Sequence, residues 1–412
     1  MLNREMKDSG VEYIGDIPKN WKIAKFSRFT DVGMGQTILK SDIEKKGIPI
    51  YSATQSESIF GYLSLDKINN LLKPGDFIIP ARGNSIGAVK MLKSYGGSTQ
   101  TTIWVKIIGD INKRYLYYVA LGLREYWFYF VRTAIPQITT QQVSSNKLPL
   151  PSSSEQNQIV NVLDTKINKI DVIVLDTQQS ILELKKYKQS LITETVTKGL
   201  DKNAEMKDSG IEWVGKVPNA WTITKLNNLF EIKKIISKEL GYDVLSVTQN
   251  GLKVKNIDNN SGQMSADYSK YQIVQQGDFV MNHMDLLTGW VDISECTGVT
   301  SPDYRVFKTK NFLNLFDRYY LYVFQICYMN KIFYGLGQGV SNMGRWRLQT
   351  DKFLNFYLPL PSTTEQYQIV EFLDEKTSKI DNLIKDKEQI IKENEDYKKS
   401  LIYEYVTGKK QA

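Results

Sequence analysis

The sequence predicts an α+β protein in which two similar mixed α/β domains are each followed by a long amphipathic helix. Three observations carry that expectation. The stretch MKDSGVEYIGDIPKNW at Met6 returns as MKDSGIEWVGKVPNAW at Met206. A second pair follows each copy: LPLPSSSEQNQIVNVLDTKINKID from Leu148 and LPLPSTTEQYQIVEFLDEKTSKID from Leu358. Aligned without gaps over Leu148–Thr197 and Leu358–Thr407, 28 of 50 positions are identical, whereas the blocks between are largely dissimilar. Two copies some two hundred residues apart indicate duplication of a whole module, not a short-repeat solenoid.

The elements follow in order. Residues 1–147 and 201–357 form the two domains, with lead-ins at 6–23 and 206–223; residues 148–200 and 358–412 form the helical regions. The lead-ins are Gly- and Pro-punctuated loops, and Trp21 and Trp221 are expected to pack where domain meets helix. The blocks 24–147 and 224–357 alternate short apolar runs with Gly, Asn, Ser and Pro, which suits short strands and helices. Within them PGDFIIPARGNSIGAVKM from Pro74 matches QGDFVMNHMDLLTGWVDI from Gln276: a Gly-Asp turn, a strand, then a later glycine, Gly87 or Gly289. The aromatic run Tyr115–Phe130 reads as a core helix. The LPLP segments are held extended by their prolines. Ser152 with Glu155, and Ser362 with Glu365, then fit capping boxes.

Past the caps, apolar residues recur at alternating spacings of four and three. Leu163, Ile167, Ile170, Val174, Ile181, Leu184 and Leu191 form one stripe, interrupted by Thr177 and Lys188. The second copy keeps Leu373, Ile380, Ile384, Ile391 and Leu401, with Lys387, Asn394 and Lys398 intruding. This is a coiled-coil seam with polar breaks. Gly199 and Gly408 stand where each helix should stop, giving roughly 40 residues or about 60 Å. Two narrow stripes are most simply buried against each other; the alternative is that each helix covers its own domain.

Composition narrows the function. The 412 residues carry a net charge of +8. Residues 1–147 hold 20 basic against 12 acidic side chains, 148–200 hold 6 against 6, 201–357 hold 18 against 16, and 358–412 hold 9 against 11. The excess in the first block agrees with a polyanion partner without requiring one, and the helical regions are too neutral to lie along nucleic acid. No apolar run approaches the ~20 residues of a membrane span, and the start lacks a signal-peptide core. Two cysteines and one histidine leave little for a disulfide framework or a His/Cys metal site, so a cytoplasmic setting is expected.

Catalytic motifs are weak. Gly83-Asn84-Ser85-Ile86-Gly87 fits the G-x-S-x-G nucleophile elbow. The triad's histidine would have to be His283, in the other module, and Leu287 replaces Ser85 in the aligned copy. There is no phosphate-loop motif and no Asn/Asp-Pro-Pro-aromatic amino-methyltransferase signature. Nothing marks the chain itself as a catalyst.

The twin D-S-G-x-E-[YW]-x-G-x-[IV]-P-x-x-W lead-ins, the twin LPLP-x-x-x-EQ-x-QIV helices and the dissimilar blocks between them resemble a type I restriction–modification specificity subunit, over nearly the whole chain. That resemblance implies two target recognition domains joined by two helical regions that pair as an antiparallel coiled coil with pseudo-twofold symmetry. It implies double-stranded DNA as ligand, read as a bipartite asymmetric site, and two methyltransferase subunits and restriction subunits as partners. S-adenosylmethionine and ATP/Mg would sit on those partners, with no cofactor on this chain. A scaffold protein whose variable blocks bind other proteins is the competing reading.

Base-edge readers are expected among Arg, Asn, Gln, Ser, Thr and Lys at strand ends and turns, because paired donors and acceptors match base edges. In the first module these are Arg82, Asn84, Ser85, Lys90, Gln100, Thr101, Thr102, Arg132 and Gln137. In the second they are Asn282, His283, Arg305, Gln338, Ser341, Asn342, Arg345 and Arg347.

Overall fold

The computed structural model describes residues 4–54, 58–128, 137–255, 267–310, 314–338 and 346–412. Arg132, Ser341, Asn342 and Arg345 lie outside them. The chain forms two compact units, Met1–Gln178 with Lys387–Ala412, and Gln179–Asp386. Each therefore holds one variable block and half of each long helix, a division that differs from the sequence-based segmentation.

In the first unit a four-stranded antiparallel sheet runs in the order Thr30–Met34, Thr102–Ile107, Phe77–Pro80, Lys90–Met91. A three-stranded sheet adds Ile59–Leu63, Ile48–Tyr51 and Gly97–Ser98. The second unit repeats the plan with Phe230–Lys233, Arg305–Thr309, Phe279–Met281 and Val291–Ile293. Its second sheet orders Gly251–Val254, Val244–Thr248, Gly298–Thr300 and Gln272–Val274. In both units the extended LPLP segment pairs with the strand after the lead-in: Lys147–Leu150 with Lys22–Lys25, and Tyr357–Leu360 with Thr222–Lys225. Helix Lys113–Gly122 packs on the first sheet and helix Asp317–Met329 on its counterpart; Tyr115, Tyr319 and Tyr320 are fully buried there.

The long helices span Ser153–Lys198 and Thr363–Val406 and end before Gly199 and Gly408, whose φ values of 75° and 73° are the left-handed conformation that glycine adopts freely. Within each unit they run antiparallel. In the first, Glu155–Ile159 lie beside Lys410–Ala412, and Asp171 pairs with Lys398 at 2.5 Å. In the second, Gly199 lies by Trp221, which bonds Glu365, while Lys188 pairs with Asp381 at 2.6 Å. Under the internal repeat Asp171 corresponds to Asp381 and Lys188 to Lys398, so both units make the same ion pair. Leu163, Ile167, Ile170, Ile181, Leu373, Ile380 and Leu401 are buried; Val174, Leu184, Leu191, Ile384 and Ile391 are half-buried. Ile192, Val196, Ile402 and Val406, off the expected stripe, are buried at the helix ends because the recognition modules pack there.

The lead-in's purpose is visible in its bonds. Asp8 accepts from the Gly10 amide and Asp208 from that of Gly210, both at 2.9 Å, closing tight turns. Trp21 Nε1 donates to Glu155 Oε1 at 3.1 Å, and Trp221 Nε1 to Glu365 Oε1 at 3.0 Å. The same glutamates close capping boxes with Ser152 and Ser362. A Cβ on Gly408 would stand 3.1 Å from Trp21, and one on Gly199 3.2 Å from Trp221. Each tryptophan thus sits between the start of one helix and the end of the other. The next residue of each EQ pair is also committed. Gln156 accepts from the Asn112 amide and Gln366 from that of Phe316, tying the module's helix to the long one.

Candidate nucleic-acid interface

In the first module the candidate face is built on the ends of the two central strands. Ala81 N donates to Thr101 O at 2.9 Å, and Ile138 N to Ala81 O at 3.1 Å. A single antiparallel bridge then sets Arg82 against Gln137. Arg82, Asn84, Gln100 and Gln137 are exposed and Thr101 is half-buried. Gln100 Oε1 accepts from Thr37 Oγ1 at 2.7 Å, which brings Thr37 into the same patch. Sequence reasoning missed Thr37; Gln36 beside it is committed inside the module, donating to Lys67 O and accepting from the Asn69 amide. The signal was the preceding glycine: a Cβ on Gly35 would fall 2.3 Å from Thr99 O, so the chain must pass close to the strand end there.

Three expected contacts in this module are corrected by their burial. Thr102 is fully buried and its hydroxyl donates to Thr99 O at 2.7 Å. Lys90 is buried with Nζ 3.1 Å from Thr54 Oγ1. Ser85 is buried in the turn between Gly83 and Gly87. A base edge is read by groups that reach the groove; Thr102 and Lys90 are occupied inside the module, and Ser85 is buried in its turn.

The second module repeats the backbone and changes the side chains. Leu348 N donates to His283 O at 3.0 Å, as Ile138 does to Ala81. Gln338 and Arg347 exchange backbone bonds of 3.1 and 3.2 Å and both are exposed. Asn282 is half-buried, its carbonyl accepting from Tyr328 Oη at 2.8 Å. His283 and Arg305 are buried. Arg305 Nη2 donates to Leu348 O at 3.1 Å and Thr350 Oγ1 at 3.4 Å, and the guanidinium lies 4.4 Å from the Phe353 ring centroid. Burial, then the positive charges of Arg305 and Arg347, lower the His283 pKa to about 3, so its imidazole is neutral at physiological pH. Burial also lowers Arg305, to about 10, leaving it charged. Among the described residues no cluster of His, Cys, Asp and Glu could hold a metal ion, and no helix is long and apolar enough to cross a membrane.

The family description "Type I restriction modification DNA specificity domain" matches residues 18–183 and 218–393, once per module. The chain belongs to this family. It is similar to the type I restriction enzyme MjaVIII specificity subunit of Methanocaldococcus jannaschii, at 26% identity over 95% of this chain and 93% of the relative. It also resembles the Escherichia coli EcoBI specificity subunit, at 24% identity over 66% and 60% of the two chains. A solved structure described as the complex assembly and conformational transition of the type I R-M system shares the fold. Its TM-score is 0.66 at 11% identity, over 95% of this chain and 98% of that one. As a type I specificity subunit the chain supplies DNA target recognition and is not itself a catalyst. Subunits of this kind act in complexes with methyltransferase and restriction subunits on DNA.

Proposed function

We propose that each module reads one half of a bipartite, asymmetric DNA target. Two methyltransferase subunits dock on the assembly, and restriction subunits join through them. S-adenosylmethionine and ATP/Mg are held by those partners, in the cytoplasm. The observation that carries the reading is one backbone frame presenting different chemistry at equivalent places: Ala81, Ile103 and Gln137 in the first module, His283, Arg305 and Arg347 in the second. Like frames with unlike contents read unlike half-sites. The exposed Arg82, Asn84, Gln100, Gln137 and Gln338, with Thr101 and Asn282, are the base contacts proposed, and Arg347 is exposed on the same face; Arg fits guanine and Asn or Gln fits adenine. Exchanging residues 24–147 for those of another specificity subunit should change one half of the methylated site, read by sequencing modified bases. A change in both halves, or in neither, would overturn the modular reading.

A further inference from the structure

The second module buries a positive charge, Arg305, that forms no ion pair among the described residues. Arg305 and His283 are each more than nine-tenths buried, and Arg305 Nη1 and His283 Nδ1 have no hydrogen-bond partner. Both residues bond one backbone unit: Leu348 donates to the His283 backbone carbonyl and accepts from the Arg305 side chain. Arg347, next along the chain, is exposed above them, and the charges of Arg347 and Lys234 both act on His283. Among the described residues none of His283, Arg305 and Arg347 forms an ion pair. The acid of the adjoining turn, Asp285, accepts from the Leu287 and Thr288 amides. A buried cation facing only neutral acceptors carries an uncompensated desolvation cost, and such costs collect where a ligand completes the site.

Resting on the DNA-binding reading, the geometry points to an anion site at His283, Arg305 and Arg347 that takes one phosphate of the DNA backbone, in the second module only. Arg347 makes the contact; Arg305 and His283 are positioning residues. Arg305 fixes the Leu348 carbonyl, and its charge acts through a dry interior where it is little screened. The first module has Ala81, Ile103 and Gln137 at these places and cannot build the site.

The test uses the chain assembled with its methyltransferase subunits and a duplex carrying its methylated site. Each phosphate of the second half-site is replaced in turn by a neutral methylphosphonate. One position should weaken binding about tenfold with the natural chain and less than about twofold with Arg347→Ala. Arg347→Ala should also lower the dependence of log K on log salt by about one charge while leaving base preference unchanged. Arg305→Met should weaken binding and Arg305→Lys should restore most of it, with thermal melts confirming that both fold. If every phosphate loss is additive with Arg347→Ala, or if Arg347→Ala changes the preferred base, the anion site is refuted. A natural complex that prefers no DNA sequence would refute the DNA-reading proposal instead.

Discussion

Replacing Glu155 by alanine removes the hub on which the first unit closes. Its carboxylate accepts from Trp21 Nε1 at 3.1 Å and from the Ser152 amide and hydroxyl at 3.3 and 3.0 Å, and it pairs with Arg4. Loss of the return half of the capping box, from the Ser152 amide and hydroxyl to the carboxylate, costs about 1 kcal/mol, and leaving the indole N–H of a 1% exposed tryptophan without an acceptor costs about 1–2 more. Arg4 is part-exposed and adds little. The sum, about 2–3 kcal/mol, predicts a melting temperature lower by roughly 4–12 °C for a unit of this size. The assay is thermal unfolding followed by circular dichroism, with Trp21→Phe closing a double-mutant cycle. In the Phe background no N–H remains to orphan, so Glu155→Ala should cost only about 1 kcal/mol. Equal costs in both backgrounds would refute the coupling. Burial raises the Glu155 pKa, but hydrogen bonds from Trp21, Ser152 and Arg4 outweigh it and hold the carboxyl below its usual range. Its stabilisation is therefore present above the unfolded value, near 4.3, and fades as pH falls through the folded one, so the mutational effect should shrink below about pH 4.

Lys398→Asp places like charges at the Asp171 contact and should cost about 1 kcal/mol in urea unfolding, with Asp171→Lys restoring most of the loss. Gly408→Ala should destabilise strongly, since its Cβ would meet Pro18 Cδ at 2.3 Å. Gly210→Ala, with nothing within 4 Å, should cost only the ~1 kcal/mol of a left-handed non-glycine residue; similar melting temperatures would contradict this packing. His283→Gln should flatten the fall of melting temperature between pH 6.5 and 4. The unfolded histidine takes up a proton below about 6.5 while the folded one, at about 3, does not, so stability drops by at most ~1.4 kcal/mol per pH unit in that window.

Repetition and helical periodicity made the scaffold legible. Ser152 and Glu155 cap the first long helix as their spacing requires, and Gly199 and Gly408 end the helices where glycine was placed to do so. The stripe from Leu163 to Leu191 was readable because burial repeats with the helix. Its partner followed from the repeat, because two near-identical helices with narrow stripes are most simply buried against each other, and ion pairs join them in both units. Lys188 and Lys398 looked like interruptions and prove to be ion-pair partners of Asp381 and Asp171. Residue type could not say which side of a strand a polar group occupies, so Thr102 and Lys90 read as surface contacts although they face inward. The tie from Arg114 and Tyr118 to Asp164, repeated as Arg318 and Tyr322 to Asp374, escaped notice because it joins elements fifty residues apart.

The first unit is assembled from two segments far apart along the chain, since Lys387–Ala412 belongs with Met1–Gln178. A ribosome therefore releases everything needed for the second unit before the first can close. Tyr115 Oη, bonded to the Pro149 carbonyl at 2.9 Å, gains its second acceptor only with the carbonyl of Val406, at 3.4 Å. A premature stop codon within Lys387–Ala412 would leave Gln179–Asp386 whole and damage the half that was translated first.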